Sequence, residues 1–259
     1  MNNAATREKI HHIWDELSDF EAAQSDQAAA HLMEALCNLA DAWNATWGGA
    51  TRMGGDFQND PLLGWRVSAM KLLQPIALQS NEGPFKEILK LWDRRDIDPS
   101  FLLPMRGVGT FRTYSFRREL PPEWFESPFY KAYYGFVGTC DSVFVGFPLN
   151  QDAESHFGFY SHKVFSDEEI ALLTYAVRGI KWFHRQLMLS HGLLMASSPL
   201  TPTERRVLHL LLTEASEKTI ADQVGLAVST THQHVIAIFR KFGVRSRAGL
   251  MSLWLNRGG

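Results

Sequence analysis

Two helical patterns open the chain. Ile10, Ile13, Trp14 and Leu17 recur at i, i+3, i+4 and i+7. Asp26 stands where an N-cap is expected, ahead of Ala29, Leu32, Leu36, Leu39 and Trp43 on one face. The texture then changes. Runs at 45–52, 64–67, 108–116, 142–148 and 156–160 read as strands. Among them, Phe85, Ile88, Leu89 and Trp92 take helical spacing, and PPEWFESPFYKAYY (121–134) reads as a helix opened by proline. Strands interleaved with helices, without regular βαβ alternation, point to an antiparallel sheet with helices packed on it.

From Ser166 the pattern becomes helical again. Ser166 and Glu169 have the spacing of a capping box. Ile170, Leu173, Val177, Ile180, His184, Leu187, His191 and Leu194 then alternate steps of three and four, a heptad seam. The spacing predicts one long helix over about 166–195, ended by a short hinge at 196–199. Pairing with a second chain through Val177, Ile180, His184 and Leu187 is one use of that seam. Packing on the chain's own sheet is the other, and Leu172, Ala176, Phe183 and Met188 widen the apolar face in its favour.

Four short helices are expected after Leu200. Thr201 and Glu204 form a second capping box, with Pro202 at the first helical position. Val207, Leu208, Leu211 and Leu212 form its apolar side. Ser216 caps the next helix, which Gly225 ends in a left-handed turn. The third helix, about 229–242, turns Val235, Ile238, Phe239 and Phe242 inward and Thr230, Gln233, Ala237 and Arg240 outward. Gly243 ends it, and Ser246 caps a last helix holding Leu250 and Trp254. Short capped helices with a tight glycine turn between the second and third are helix-turn-helix architecture.

Length and charge agree with two functions in one chain. A chain of 259 residues suits two domains. Residues from 200 onward carry a net charge of +4, and the rest carries −6. A basic tail on an acidic body suits phosphate contact. No apolar run is long enough to span a bilayer and no secretion signal opens the chain, so a cytoplasmic protein without membrane partners is expected. Cys37 and Cys140 match no metal or redox spacing and are expected as reduced, packed thiols. No phosphate loop, metal motif or nucleophile elbow is present, so no enzyme activity, catalytic residue, metal or cofactor is expected.

The C-terminal segment resembles the LuxR-type (GerE-like) helix-turn-helix. The motifs that carry it are Leu200-Thr201-Pro202-x-Glu204, Ile220-Ala221, Gly225, Thr230, His234, Arg240-Lys241-Phe242-Gly243-Val244 and Arg247-Ala248. The resemblance implies a four-helix domain whose third helix enters the major groove, and dimerisation through the last helix around Leu250 and Trp254. It puts base reading on His232, Gln233 and Ile236, with Arg240 on the same face. Glutamine can pair with adenine and histidine can donate to guanine. Ser229, Thr230, Lys241 and Arg245 would hold phosphates, as would Lys218 and Thr219. The sequence departs from the pattern at Ala227, where the family has a serine or threonine cap, a loss of about 1 kcal/mol unless Ser229 substitutes. It departs again at His232 and Ile236, where basic residues are common.

The front half resembles the PAS- or GAF-like sensors found in such regulators. The expected organisation is therefore an α+β sensor at 1–165, an antiparallel sheet with flanking helices. A long dimerisation helix at 166–198 joins it to an all-α helix-turn-helix domain at 199–259. Trp47, Trp65, Tyr114, Phe116, Trp124, Phe129, Tyr130 and Tyr133 are candidates to line a small-molecule cavity. Arg112, Arg117 and Arg118 either bind an anion or form a solvated surface. The Trp-Tyr-Asp-Pro-Trp-Gly order of homoserine-lactone sensors does not align, though Asp60-Pro61 is present. The expected function is a dimeric, ligand-controlled transcription regulator that binds double-stranded DNA and contacts RNA polymerase. The alternative is a constitutive regulator whose front domain only dimerises or binds a protein.

Overall fold

A computed structural model describes residues 4–53, 59–76, 84–194 and 200–255. The chain divides into two compact units, Met1–Ile13 with Ala30–Ile180, and Trp14–Ala29 with Lys181–Gly259. The division falls after Ile180, whereas the sequence pattern suggested boundaries at 165–166 and 198–199.

The helices are α1 (Ala4–Ser18), α2 (Ser25–Ala40), α3 (Pro84–Arg94), α4 (Pro99–Leu102), α5 (Phe116–Glu119), α6 (Pro128–Tyr133), α7 (Asp167–Arg178), α8 (Lys181–Ser190), α9 (Pro202–Leu211), α10 (Glu217–Val224), α11 (Val228–Phe242) and α12 (Arg247–Leu255). The strands are β1 (Asn44–Arg52), β2 (Trp65–Leu72), β3 (Arg112–Ser115), β4 (Asp141–Asn150) and β5 (Ala153–Ser161). They form one antiparallel sheet in the order β2-β1-β5-β4-β3. All five expected strands are present.

The third strand is shorter than its sequence run. Gly109 takes φ 81 and the Thr110 amide donates to the Gly107 carbonyl at 3.0 Å, so the chain turns before Arg112. Residues 121–134 do not form one helix. A 3₁₀ turn (Pro122–Glu126) is followed by α6, and Ser127 between them is extended at φ −65, ψ 152. Pro128 disfavours the helical conformation in the residue before it. Ser127 then caps α6 by accepting from the Tyr130 amide.

Successive strand residues face opposite sides of the sheet. Trp47, Val143, Val145, Phe157 and Phe159 lie on one side, fully buried. On that side the Trp47 indole donates to the Ser155 hydroxyl at 2.8 Å. Thr46, Gly48, Phe144, His156, Gly158 and Tyr160 lie on the other side and line a cavity. Asp141 fastens the end of the sheet: its buried carboxylate accepts from the Ser115 hydroxyl and from the amides of Arg117, Ser142 and Phe165.

Residues 166–195, expected as a single helix, form α7 and α8. The Ser166–Glu169 capping box opens α7 as expected. Gly179, a poor helix residue, ends it. Val177, Ile180, His184 and Leu187 are fully buried within the single chain, as are Ala176, Phe183 and Met188. Buried in this way, Val177 and Ile180 of the first unit and His184 and Leu187 of the second are not exposed for pairing with a second chain. The expected hinge at 196–199 lies outside the described residues.

In the second unit Asp26, in the first turn of α2, pairs with His191 instead of capping the helix: Oδ1 lies 2.9 Å from Nε2. Arg205 of α9 donates to His191 Nδ1 at 2.7 Å, so Nε2 carries the proton given to Asp26. The four C-terminal helices match their expected limits closely. The Thr201–Glu204 capping box, the Ser216 cap and left-handed Gly225 and Gly243 (φ 72 and 66) are all present. Arg247 closes the end of α9 and the turn after it, donating to the carbonyls of Leu210, Leu211, Thr213 and Ala215.

Candidate nucleic-acid interface and apolar cavity

The cavity of the first unit has a volume of about 150 Å³. Sheet residues form one wall, α3 supplies Ile88, Leu89 and Trp92 to another, and Phe101, Pro104 and Met105 close it. Of the eight expected lining residues, Trp65, Tyr114 and Phe116 face it. The other five do not line it. Trp47 is on the opposite side of the sheet, as strand parity requires. Trp124 is anchored behind the wall, its indole donating to Asp98 at 2.9 Å. Tyr130 spends its hydroxyl on the Thr139 carbonyl at 2.8 Å. Phe129 packs on Phe101 and Tyr133, with ring centres 5.6 and 4.8 Å away. These aromatics build the wall that positions Phe116, which meets Trp124 edge-on at 5.3 Å.

The polar end of the cavity was not anticipated from the sequence. Glu154 is 1% exposed and makes a two-armed pair with Arg112, at 3.0 and 2.7 Å. It also accepts from the Gly109 amide at 2.8 Å and lies 3.0 Å from His156 Nε2. Burial alone would raise its pKa; hydrogen bonds and charge from His156 and Arg112 overcome this and hold it down to about 2. Glu154, His156 and Gly158 were findable by parity, since alternate positions of β5 share a face with Tyr160. Gly158 is required by space: a Cβ there would lie 2.6 Å from Phe144 Cε1.

None of the three arginines offers an open anion site. Arg112 is paired with Glu154. Arg117 donates to the Cys140 carbonyl and covers the Phe125 ring, and Arg118 pairs with Asp167. Asp60 holds a turn, accepting from the amides of Leu62 and Gly64 and pairing with Arg95 at 2.6 Å. Burial pushes the Cys37 thiol up to about 12. Among the described residues, no cluster of three His, Cys, Asp or Glu side chains is arranged to hold a metal, and no helix is long and apolar enough to cross a membrane.

The C-terminal helices present a different surface. The inner face of α11 buries Thr231, Val235, Ile238 and Phe242. Ser229, His232, Gln233, Ile236 and Arg240 are exposed on its outer side, Ile236 at 52%. Lys218 and Thr219, at the start of α10, are exposed too, and α10 packs on α11. Ala227 occupies the N-cap of α11 with no side-chain hydrogen bond, so the missing cap is not replaced by Ser229.

The profile of bacterial regulatory proteins of the luxR family (GerE) matches residues 198–254. Residues 198–254 are a LuxR-family GerE domain. The transcriptional regulatory protein MctR of Rhizobium johnstonii is 28% identical over 104 residues. That match covers 39% of this chain and about half, 49%, of the relative. Two solved structures are similar at a TM-score of 0.48. The ligand-binding domain of VqsR from Pseudomonas aeruginosa is 14% identical, over 72% of this chain and 98% of that one. SdiA in complex with octanoyl-rac-glycerol is 12% identical, over 100% and 97%.

Within the GerE domain two expected roles change. Lys241, expected on phosphate, pairs with Glu204 at 2.7 Å, both largely buried. Burial opposes that carboxylate, but hydrogen bonds from Lys241 and Thr201 prevail and keep its pKa below the ordinary value. Lys241 thus ties α11 to α9. Leu250 is fully buried and packs within the domain, while Trp254 is half-buried with its ring 5.8 Å from Phe242. Lys218, Arg240 and Arg245 are exposed cations of this domain.

Proposed function

We propose that the chain is a sequence-specific, DNA-binding transcription regulator that works as a homodimer under small-molecule control. The observation that carries the DNA assignment is the exposed row Ser229, His232, Gln233, Ile236 on α11 of a GerE domain. A helix-turn-helix lays its second helix in the major groove, its N-terminal residues on base edges. Gln233 suits adenine, and Ile236 suits a thymine methyl. Lys218, Thr219, Ser229, Thr230, Arg240 and Arg245 suit the phosphates on either side. The pairing surface proposed here is the outer edge of α12, where Met251 is 37% exposed.

The cavity supports ligand control. A volume of about 150 Å³ is close to that of an engineered cavity that admits benzene. The ligand proposed is therefore the size of one ring or a short chain. It is neutral, because Arg112 already balances Glu154. The test is extraction of the purified full chain and mass spectrometry of what is released. We expect one neutral small molecule, and a changed DNA affinity when it is added back. An empty chain, with no extract altering its DNA affinity, would replace this reading with that of a constitutive regulator.

A further inference from the structure

His232 is the one candidate base reader of the row that is held by another side chain. Its Nδ1 lies 2.9 Å from Glu217 Oε2, and the two side chains are 56% and 40% exposed. Glu217 opens α10 and His232 sits five residues into α11, so the contact bridges the two helices of the motif. An ionised carboxylate only accepts hydrogen bonds. The nitrogen facing it must therefore carry the proton. In a neutral imidazole the second nitrogen, Nε2, is then an acceptor.

We propose that Glu217 is a positioning residue that fixes the tautomer of His232, so that His232 reads DNA as an acceptor. It therefore selects a base pair that presents an exocyclic amino group in the major groove, adenine N6 or cytosine N4. This reverses the expectation that His232 donates to guanine, whose N7 and O6 are both acceptors. The inference rests on the proposal that α11 reads bases. An ion pair this exposed adds little stability, so its consequence is sought in specificity.

The test uses the full chain at pH 8 and duplexes selected from a random library. One column of the selected site should lose its preference in His232→Ala. In the wild type, removing the amino group at that column (purine for adenine, 2-pyrimidinone for cytosine) should weaken binding about tenfold. Replacing purine N7 with carbon there should change little. Glu217→Ala should erase the amino-group dependence while binding to unselected DNA is kept or strengthened by the loss of a negative charge, and Glu217→Gln, which still offers an acceptor oxygen, should restore part of that dependence. A column specified by guanine, with affinity lost on N7 replacement, overturns the inference. So does a column that Glu217→Ala leaves unchanged. If no site is selected at all, base reading by α11 fails as well. Once His232→Ala has marked the column, the amino-group scan needs only the wild-type protein, so it decides even if a Glu217 variant misfolds.

Discussion

At the scale of single residues, burial separates side chains that hold the fold from those that face a partner. Lys241 and Lys218 are both lysines of the GerE domain, but only Lys241 closes a largely buried pair with Glu204. Breaking such a part-buried pair leaves a charge without its partner and costs about 1–3 kcal/mol. Lys241→Ala should therefore lower the unfolding midpoint strongly and leave the salt dependence of DNA binding unchanged. Lys218→Ala should do the reverse, flattening the logarithmic salt slope by about 1 per protomer with no loss of stability. Thermal unfolding and titrations at several salt concentrations check both. Glu154 makes the matching prediction for the cavity. Its pKa is about 2 against an ordinary value of 4.5. A carboxyl lowered by folding stabilises the folded state above about pH 4.5, and that contribution fades as pH falls toward 2. The shift corresponds to about 3 kcal/mol. Glu154→Gln should remove this part of the acid limb in urea unfolding between pH 4.5 and 2. An unchanged acid limb would show that Glu154 gains nothing from Arg112 and His156.

At the scale of elements, local chemistry was the most legible part of the sequence. Ser166, Thr201 and Ser216 cap where their spacing says, because capping is a short-range bond within one turn. The strands were legible from texture, and their cavity-facing members from parity once one was known. What failed needed long-range information. Trp47 and Trp65 look alike in sequence, but which face of a sheet meets helices and which a cavity depends on the whole fold. The heptad run from Ile170 looked equally like a dimer seam and a core face, and only its burial decided between them. The break at Gly179 was locally visible and was outweighed by the periodicity around it. In the GerE domain, Lys241 and His232 meet Glu204 and Glu217, carboxylates on other helices that periodicity along one helix does not reveal. The uncapped start of α11 gives a direct prediction. Ala227 already has the extended backbone of a cap residue, φ −64 and ψ 147. Ala227→Ser should stabilise the domain by about 1 kcal/mol, read as a raised unfolding midpoint of the C-terminal transition. No gain would mean that a serine hydroxyl there does not reach the free amides.

At the scale of the whole molecule, an apolar cavity and a basic helix-turn-helix domain lie in one chain of net charge −2. The acidic remainder repels DNA, so attraction must come from the few exposed cations of the GerE domain. Lys218, Arg240 and Arg245 are three such cations per chain. Each phosphate neutralised contributes about −0.9 to the slope of log affinity against log salt. The most direct test is therefore a titration of the full chain with its selected duplex from low to physiological salt. With three such cations from each protomer of a homodimer, the expected line is straight with a slope of about −5, and binding to scrambled duplex is weaker at every salt concentration. A flat line, or equal affinity for the selected and scrambled duplexes, would contradict it.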